Sequence, residues 1–175
     1  MPTIRQLDAE ETLAALHALC AVLADCVEGG ASVGFMSPFT PEDGIPFWQG
    51  VAEAVRRGET LLFVAEHEGE IVGTVQVGFA TKPNQPHRGD LMKLLVHRRA
   101  RGLGLARLLM EAAERGTAQH GRSLLVLDTA TGEPAEAIYE RLGWERAGVI
   151  PDYALFPDGR YCSTTLFYKR VHPAL

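Results

Sequence analysis

The residues best placed to do chemistry form one run, Leu94–Ala106, reading LLVHRRARGLGLA. An apolar stretch ends at Val96, a short basic turn follows, and Gly102 and Gly104 open an amphipathic helix. Glycines at such a turn let the backbone come close to a ligand. The first amides of a helix have no internal acceptor, so a strand-to-helix turn of this kind is an anion site. Lys93, Arg98, Arg99, Arg101 and Arg107 add positive charge with no acid between them, in a chain whose net charge is −5. The run predicts a bound phosphate or pyrophosphate. A P-loop would need Gly-Lys-Ser/Thr, which is absent, and a dinucleotide fingerprint would need a third glycine where Arg107 stands.

The elements that must position this turn can be read from period and punctuation. Residues 3–7 fit a short strand. From Glu10 to about Glu28 apolar residues recur three and four apart, and Gly29-Gly30 ends the helix. Residues 29–46 are rich in Gly and Pro and read as a long loop, a class that is often functional. A helix over about 45–57 carries Phe47, Trp48, Val51 and Val55. Residues 60–66 and 70–80 read as a β-hairpin about His67-Glu68-Gly69. A strand over about 89–96 precedes the glycine turn, and a helix runs from about 102 to 119. Leu124–Leu127 is strand-like, Pro134 opens a short helix, and strands near 144–150 and 161–170 complete the set. This order predicts one α/β domain over residues 1–175. Its central sheet is mixed and mostly antiparallel, flanked by helices.

Composition narrows the partners. An acidic balance speaks against nucleic acid. No apolar run approaches the roughly 18–20 residues that span a bilayer, and MPTIRQLDAEET turns acidic where a secretion signal turns apolar. Cys20, Cys26 and Cys162 have no metal-ligand spacing and fit reduced thiols in a cytoplasmic protein. His87 and His97 lack a metal-like partner, so no metal is expected.

Arg99-Ala100-Arg101-Gly102-Leu103-Gly104 resembles the Gln/Arg-x-x-Gly-x-Gly/Ala signature of the GNAT superfamily of N-acetyltransferases. Ala135–Trp144, AEAIYERLGW, is similar to that family's Ala-x-x-Leu-Tyr-x-x-x-Gly-Phe pattern. Two ordered motifs a few dozen residues apart are far more specific than either alone. GGASVGFM, LDTATG, PAEAIY and PDGR further resemble the tabtoxin-resistance group of these enzymes. The resemblance implies acetyl-CoA as cofactor, with transfer to an amine or hydroxyl of a small molecule such as an antibiotic or toxin. It also implies backbone contacts from Leu94 and Val96, flanking Leu95, to the pantetheine arm. The amides of Arg99, Ala100, Arg101, Gly102, Leu103, Gly104 and Leu105 would cradle the pyrophosphate. An amide near Leu94 would polarise the thioester carbonyl.

Tyr139 matches the family's tyrosine that protonates the departing thiolate. A phenol near 10 giving its proton to a thiolate whose thiol lies near 8.5 runs uphill by about 2 kcal/mol. Asp90 is the first candidate base: it lies six residues before Val96 and, by strand alternation, shares a face with Met92, Leu94 and Val96. Asp128, just after the run LLVL, is the second. Many relatives carry an Asn before the tyrosine helix; Thr131 is the candidate replacement. Ser32, Phe35 and Trp48 are candidates to touch the acceptor, although aromatics such as Phe35 and Trp48 are more often plain core. No cysteine holds a motif position for an acyl-enzyme, so direct transfer in a ternary complex is expected. Two alternatives stand beside a small-molecule acceptor: a protein or peptide acceptor on the same fold, and a non-catalytic acyl-CoA-binding module. The apolar C-terminal segment TTLFYKRV is a candidate homodimer interface by analogy with the family.

Overall fold

The computed structural model describes residues 1–172. Seven strands form one sheet: β1 (Thr3–Leu7), β2 (Thr60–His67), β3 (Glu70–Phe79), β4 (Arg88–Val96), β5 (Leu124–Ala130), β6 (Glu145–Leu155) and β7 (Tyr161–Arg170). Their order is β1-β2-β3-β4-β5-β7-β6. Every neighbouring pair is antiparallel except β4 and β5. The expected mixed, mostly antiparallel sheet is what forms. The β2–β3 hairpin closes through Glu68 and Gly69, whose φ values of 53° and 80° suit a tight turn that follows the strands' twist.

Helices α1 (Ala9–Ala14) and α2 (Leu16–Glu28) replace the single helix expected over 10–28, with a one-residue break at Ala15. Asp8 and Glu11 form a capping box that starts α1. Together with α3 (Ile45–Arg56), α2 covers one face of the sheet, burying Leu19, Leu23, Trp48 and Val51 on Leu62 and Val64. On the other face α4 (Leu105–Gln119) buries Leu105, Leu109, Met110 and Ala113 against Phe63, Val75, Val77 and Leu125. A fifth helix, α5 (Pro134–Arg141), contributes Tyr139 to this second layer.

Two features of the sheet shape the site. A parallel pair needs a crossover, and α4 supplies it between β4 and β5. These strands pair only through Arg88–Asp90 and Leu124–Val126, and beyond that they part. The second feature is a bulge in β4. Met92 faces Gln76 and Leu95 faces Thr74, so Lys93 and Leu94 together oppose Val75, with Lys93 at φ 53°. One extra residue turns every later side chain to the other face. Leu91, Leu94 and Val96 therefore all meet the α4-side core, while Leu95 joins the α2 side. The expected shared face of Asp90 with Leu94 and Val96 does not exist, because alternation was counted through the bulge.

The candidate dimer segment sits inside the sheet. TTLFYKRV lies almost wholly in β7, which is paired on both edges by β5 and β6 and buries Thr164, Thr165 and Phe167. It has no free edge to offer a partner. The edge strands are β1 and β6, and β6 runs on to Leu155 rather than ending near 150.

Candidate active site

Where β4 and β5 part, they open a cleft of about 1090 Å³. Its walls are residues 91–96 of β4, 127–130 of β5, the loop 29–34, residues 100–102 and 104–107 of the turn and first turn of α4, and the inner face of α5.

At one end lies the glycine turn. The expected cradle ran from Arg99 to Leu105, but the amides of Arg99, Ala100 and Arg101 are already bonded to His97 Nδ1, His97 O and Arg98 O, in a short 3₁₀ turn. From Gly102 to Arg107 no backbone amide has an acceptor among the described residues. The run of unpartnered amides therefore begins three residues later than expected, at Gly102. Gly102 and Gly104 hold φ of 82° and 73°, a left-handed conformation that glycine adopts without strain. A Cβ at either would meet nothing within 4 Å, so both face open space. Gly104 is the N-cap of α4 and brings no capping side chain, which leaves the first-turn amides to a ligand.

The arginines are less free than their spacing suggested. Arg98 pairs with Asp25 and Glu28, Arg99 with Glu70 and Arg107 with Glu111. Arg101 and Arg141 line the cleft without a carboxylate partner among the described residues. Arg141, at the far end of α5, had no signal in the sequence.

Asp25 fastens the turn to α2. Its carboxylate accepts from the Arg98 amide at 2.8 Å and from Arg98 Nε at 2.9 Å. Burial pushes its pKa up, but the Arg98 amide and guanidinium, with His97, pull it below the usual carboxylate value. A depressed carboxyl contributes stability above its unfolded pKa of about 3.9, and that contribution is lost as pH falls through the folded value. Asp25→Asn should lower stability by about 1–2 kcal/mol at pH 7. Urea unfolding of both proteins should show the gap shrinking below about pH 4.

Leu94, Leu95 and Val96 line the middle of the cleft on the β4 edge that β5 has left. The Val96 carbonyl accepts from Arg101 Nε at 3.5 Å and from Cys26 Sγ at 3.7 Å. Burial pushes the Cys26 thiol up to about 11, so it is a poor nucleophile.

Tyr139 and Asp128 come together here. The Tyr139 ring is buried beside Phe167, with centroids 5.6 Å apart, and its hydroxyl is pushed up to about 12. Burial is the main cause, the Thr129 hydroxyl opposes it, and the negative charge of Asp128 adds to it. Asp128 lies within β5, not beyond its end, and accepts from Thr164 Oγ1 at 3.3 Å. Lys93, displaced into the cleft by the bulge, is a further charged group lining this space.

Several expected residues lie elsewhere. Asp90 is outside the cleft wall and accepts from Arg88 at 3.3 Å. Thr131 is turned toward β7, its hydroxyl bonded to that of Thr165 at 2.9 Å. Trp48 is completely buried under α2, so its ring is core. Phe35 packs on Phe39 and Phe47 behind the cleft wall. Ser32 does line the cleft, with its hydroxyl bonded to Leu155 O at 2.9 Å. Among the described residues no group of three His, Cys, Asp or Glu is placed to hold a metal.

The profile of the acetyltransferase (GNAT) family matches residues 16–144, most of the chain. The chain belongs to this family. Solved structures agree on the fold. A ribosomal-protein-alanine N-acetyltransferase from Brucella melitensis is 24% identical, covering 97% of this chain and 99% of its own, with TM-score 0.81. A Salmonella typhimurium protein solved with its cofactor acetyl-CoA is 18% identical, covering 100% and 96%, with TM-score 0.81. A phosphinothricin acetyltransferase from Sinorhizobium meliloti, in complex with acetyl-CoA, is 17% identical, covering 98% and 89%, with TM-score 0.80. As a GNAT acetyltransferase the chain uses acetyl-CoA. The cleft suits that cofactor: six unpartnered amides and Arg101 answer a diphosphate, and the open β4 edge answers an extended amide-bearing arm.

Proposed function

We propose that this GNAT acetyltransferase acts on an amine or hydroxyl of a small polar molecule, by direct transfer in a ternary complex. Acetyl-CoA brings an activated acetyl thioester whose departing sulfur needs a proton. Tyr139 Oη holds that proton, since a phenol raised to about 12 stays protonated at every physiological pH. Asp128 is the base that takes the acceptor's proton, a role that passes to it because Asp90 lies outside the cleft. The amides of residues 102–107, with Arg101, bind the diphosphate, and the Leu94–Val96 edge binds the arm.

The observation that carries a small acceptor is the tie between the loop after α2 and the end of β6. Ser32 Oγ donates to Leu155 O at 2.9 Å and the Ser37 amide to Pro157 O at 3.0 Å, which tie the loop after α2 across the end of β6. A polypeptide acceptor would need that path open. A purely binding role would leave Tyr139 and Asp128 without a use in one cleft. The motifs shared with the tabtoxin-resistance group make a tabtoxin-like toxin or an antibiotic the first acceptors to screen. We read residues 1–175 as one N-acetyltransferase domain working in the cytoplasm.

Asp128→Asn tests the base. It keeps a partner for Thr164 and should lower kcat/KM roughly a hundredfold near pH 7, the lower end for a general base. The deficit should narrow at higher pH, where the acceptor amine is already deprotonated. An unchanged pH–rate profile would remove Asp128 from the chemistry.

A further inference from the structure

Lys93 lines the cleft and takes no part in the cofactor contacts or proton transfers assigned above. It occupies the β4 bulge at φ 53°, a conformation that a non-glycine residue adopts only when its surroundings hold it there. The bulge delivers its side chain to the acceptor end, where Nζ lies 5.5 Å from the Phe47 ring centroid and 6.0 Å from that of Phe35. Gly34, at φ 93°, brings the loop backbone over it: a Cβ there would lie 3.8 Å from Nζ. No carboxylate lies within 4.0 Å of Nζ among the described residues, although Asp128 is near enough for its charge to act on the ammonium. Burial, the larger influence, lowers the Lys93 pKa and Asp128 raises it, so the ammonium sits half-desolvated without a matched anion. A desolvated cation in that state binds a small anion well, because much of its hydration has already been given up.

We infer that Lys93 is a specificity-determining residue that binds a carboxylate or similar oxyanion of the acceptor, so that the substrate is amphoteric, an amino-acid-like molecule whose amine faces Asp128. The opposed charges of Lys93 and Asp128 line one cleft without touching, and a molecule carrying both charges would bridge them. The two rings behind Nζ hold the ammonium in place by cation–π attraction and fix the anion position. Arg101 and Arg141 line the same cleft and are left to the diphosphate. This inference rests on the small-molecule reading above and narrows it to one acceptor class.

The test compares the proteinogenic amino acids with the amines left by removing their carboxylates, for example phenylalanine with phenethylamine. Acceptor Kd is read by calorimetry in the presence of CoA, and kcat/KM by CoA release. For the members that bind, the native protein should prefer the carboxylate-bearing partner by about tenfold or more. Lys93→Met should bring that ratio near one while acetyl-CoA affinity and unfolding midpoint hold, and Lys93→Arg should restore part of it. Equal or better use of the carboxylate-free amines, or a ratio that Lys93→Met leaves unmoved, overturns the inference and leaves the small-molecule reading intact. Use of neither series by protein that still binds acetyl-CoA counts against both.

Discussion

Tyr139→Phe should lower kcat by two to four decades and leave acetyl-CoA affinity within about threefold. The ring packs beside Phe167 and near Trp144, and phenylalanine fills the same space, so stability should change by no more than about 1 kcal/mol. What is lost is the proton at Oη. Held near 12, that proton moves to a thiolate of ordinary basicity uphill by about 5 kcal/mol, against about 2 for an unperturbed phenol. Such a gap makes stepwise transfer slow and favours proton movement as the sulfur leaves. The same elevation sets the pH profile: tyrosine ionisation gives no alkaline fall in kcat below about pH 11. Steady-state kinetics and calorimetry on the variant check both parts. Equal loss of turnover and acetyl-CoA binding would make the tyrosine structural.

Much of this site was legible because its parts are local. The glycine turn is written in consecutive residues, and so is the helix that carries Tyr139 behind Pro134. The β2–β3 hairpin follows from two apolar runs and a turn. What escaped depends on pairing between distant segments. The bulge at Lys93 exists only in the register of β4 against Val75, and counting alternation through it put Asp90 on the wrong face. Arg98 and Arg99 read as free cations because Asp25, Glu28 and Glu70 lie far back along the chain. The place of the C-terminal strand between β5 and β6 is a matter of topology, which apolar content does not reveal. Trp48 stayed open for a different reason: a large aromatic, more often core, can also line a pocket, and only its neighbours decide.

Gly104→Glu should weaken acetyl-CoA binding by about a hundredfold or more while the protein still folds. Two effects combine at this position. Gly104 sits at φ 73°, where a side chain costs about 1–2 kcal/mol, a loss of stability that a thermal melt will register. Because an added Cβ meets nothing within 4 Å, no clash in the protein itself adds to that strain. The larger effect is electrostatic. The new carboxylate stands beside the unpartnered amides of residues 102–107, competes for them and repels a diphosphate, a like-charge juxtaposition worth several kcal/mol. Gly104→Ala separates the two, since it carries the same strain without the charge and should lose much less affinity. If both variants fall equally, backbone conformation alone decides binding. If Gly104→Glu, shown to be folded, binds acetyl-CoA as the native protein does, the diphosphate is held elsewhere in the cleft, with Arg101 and Arg141 the remaining candidates.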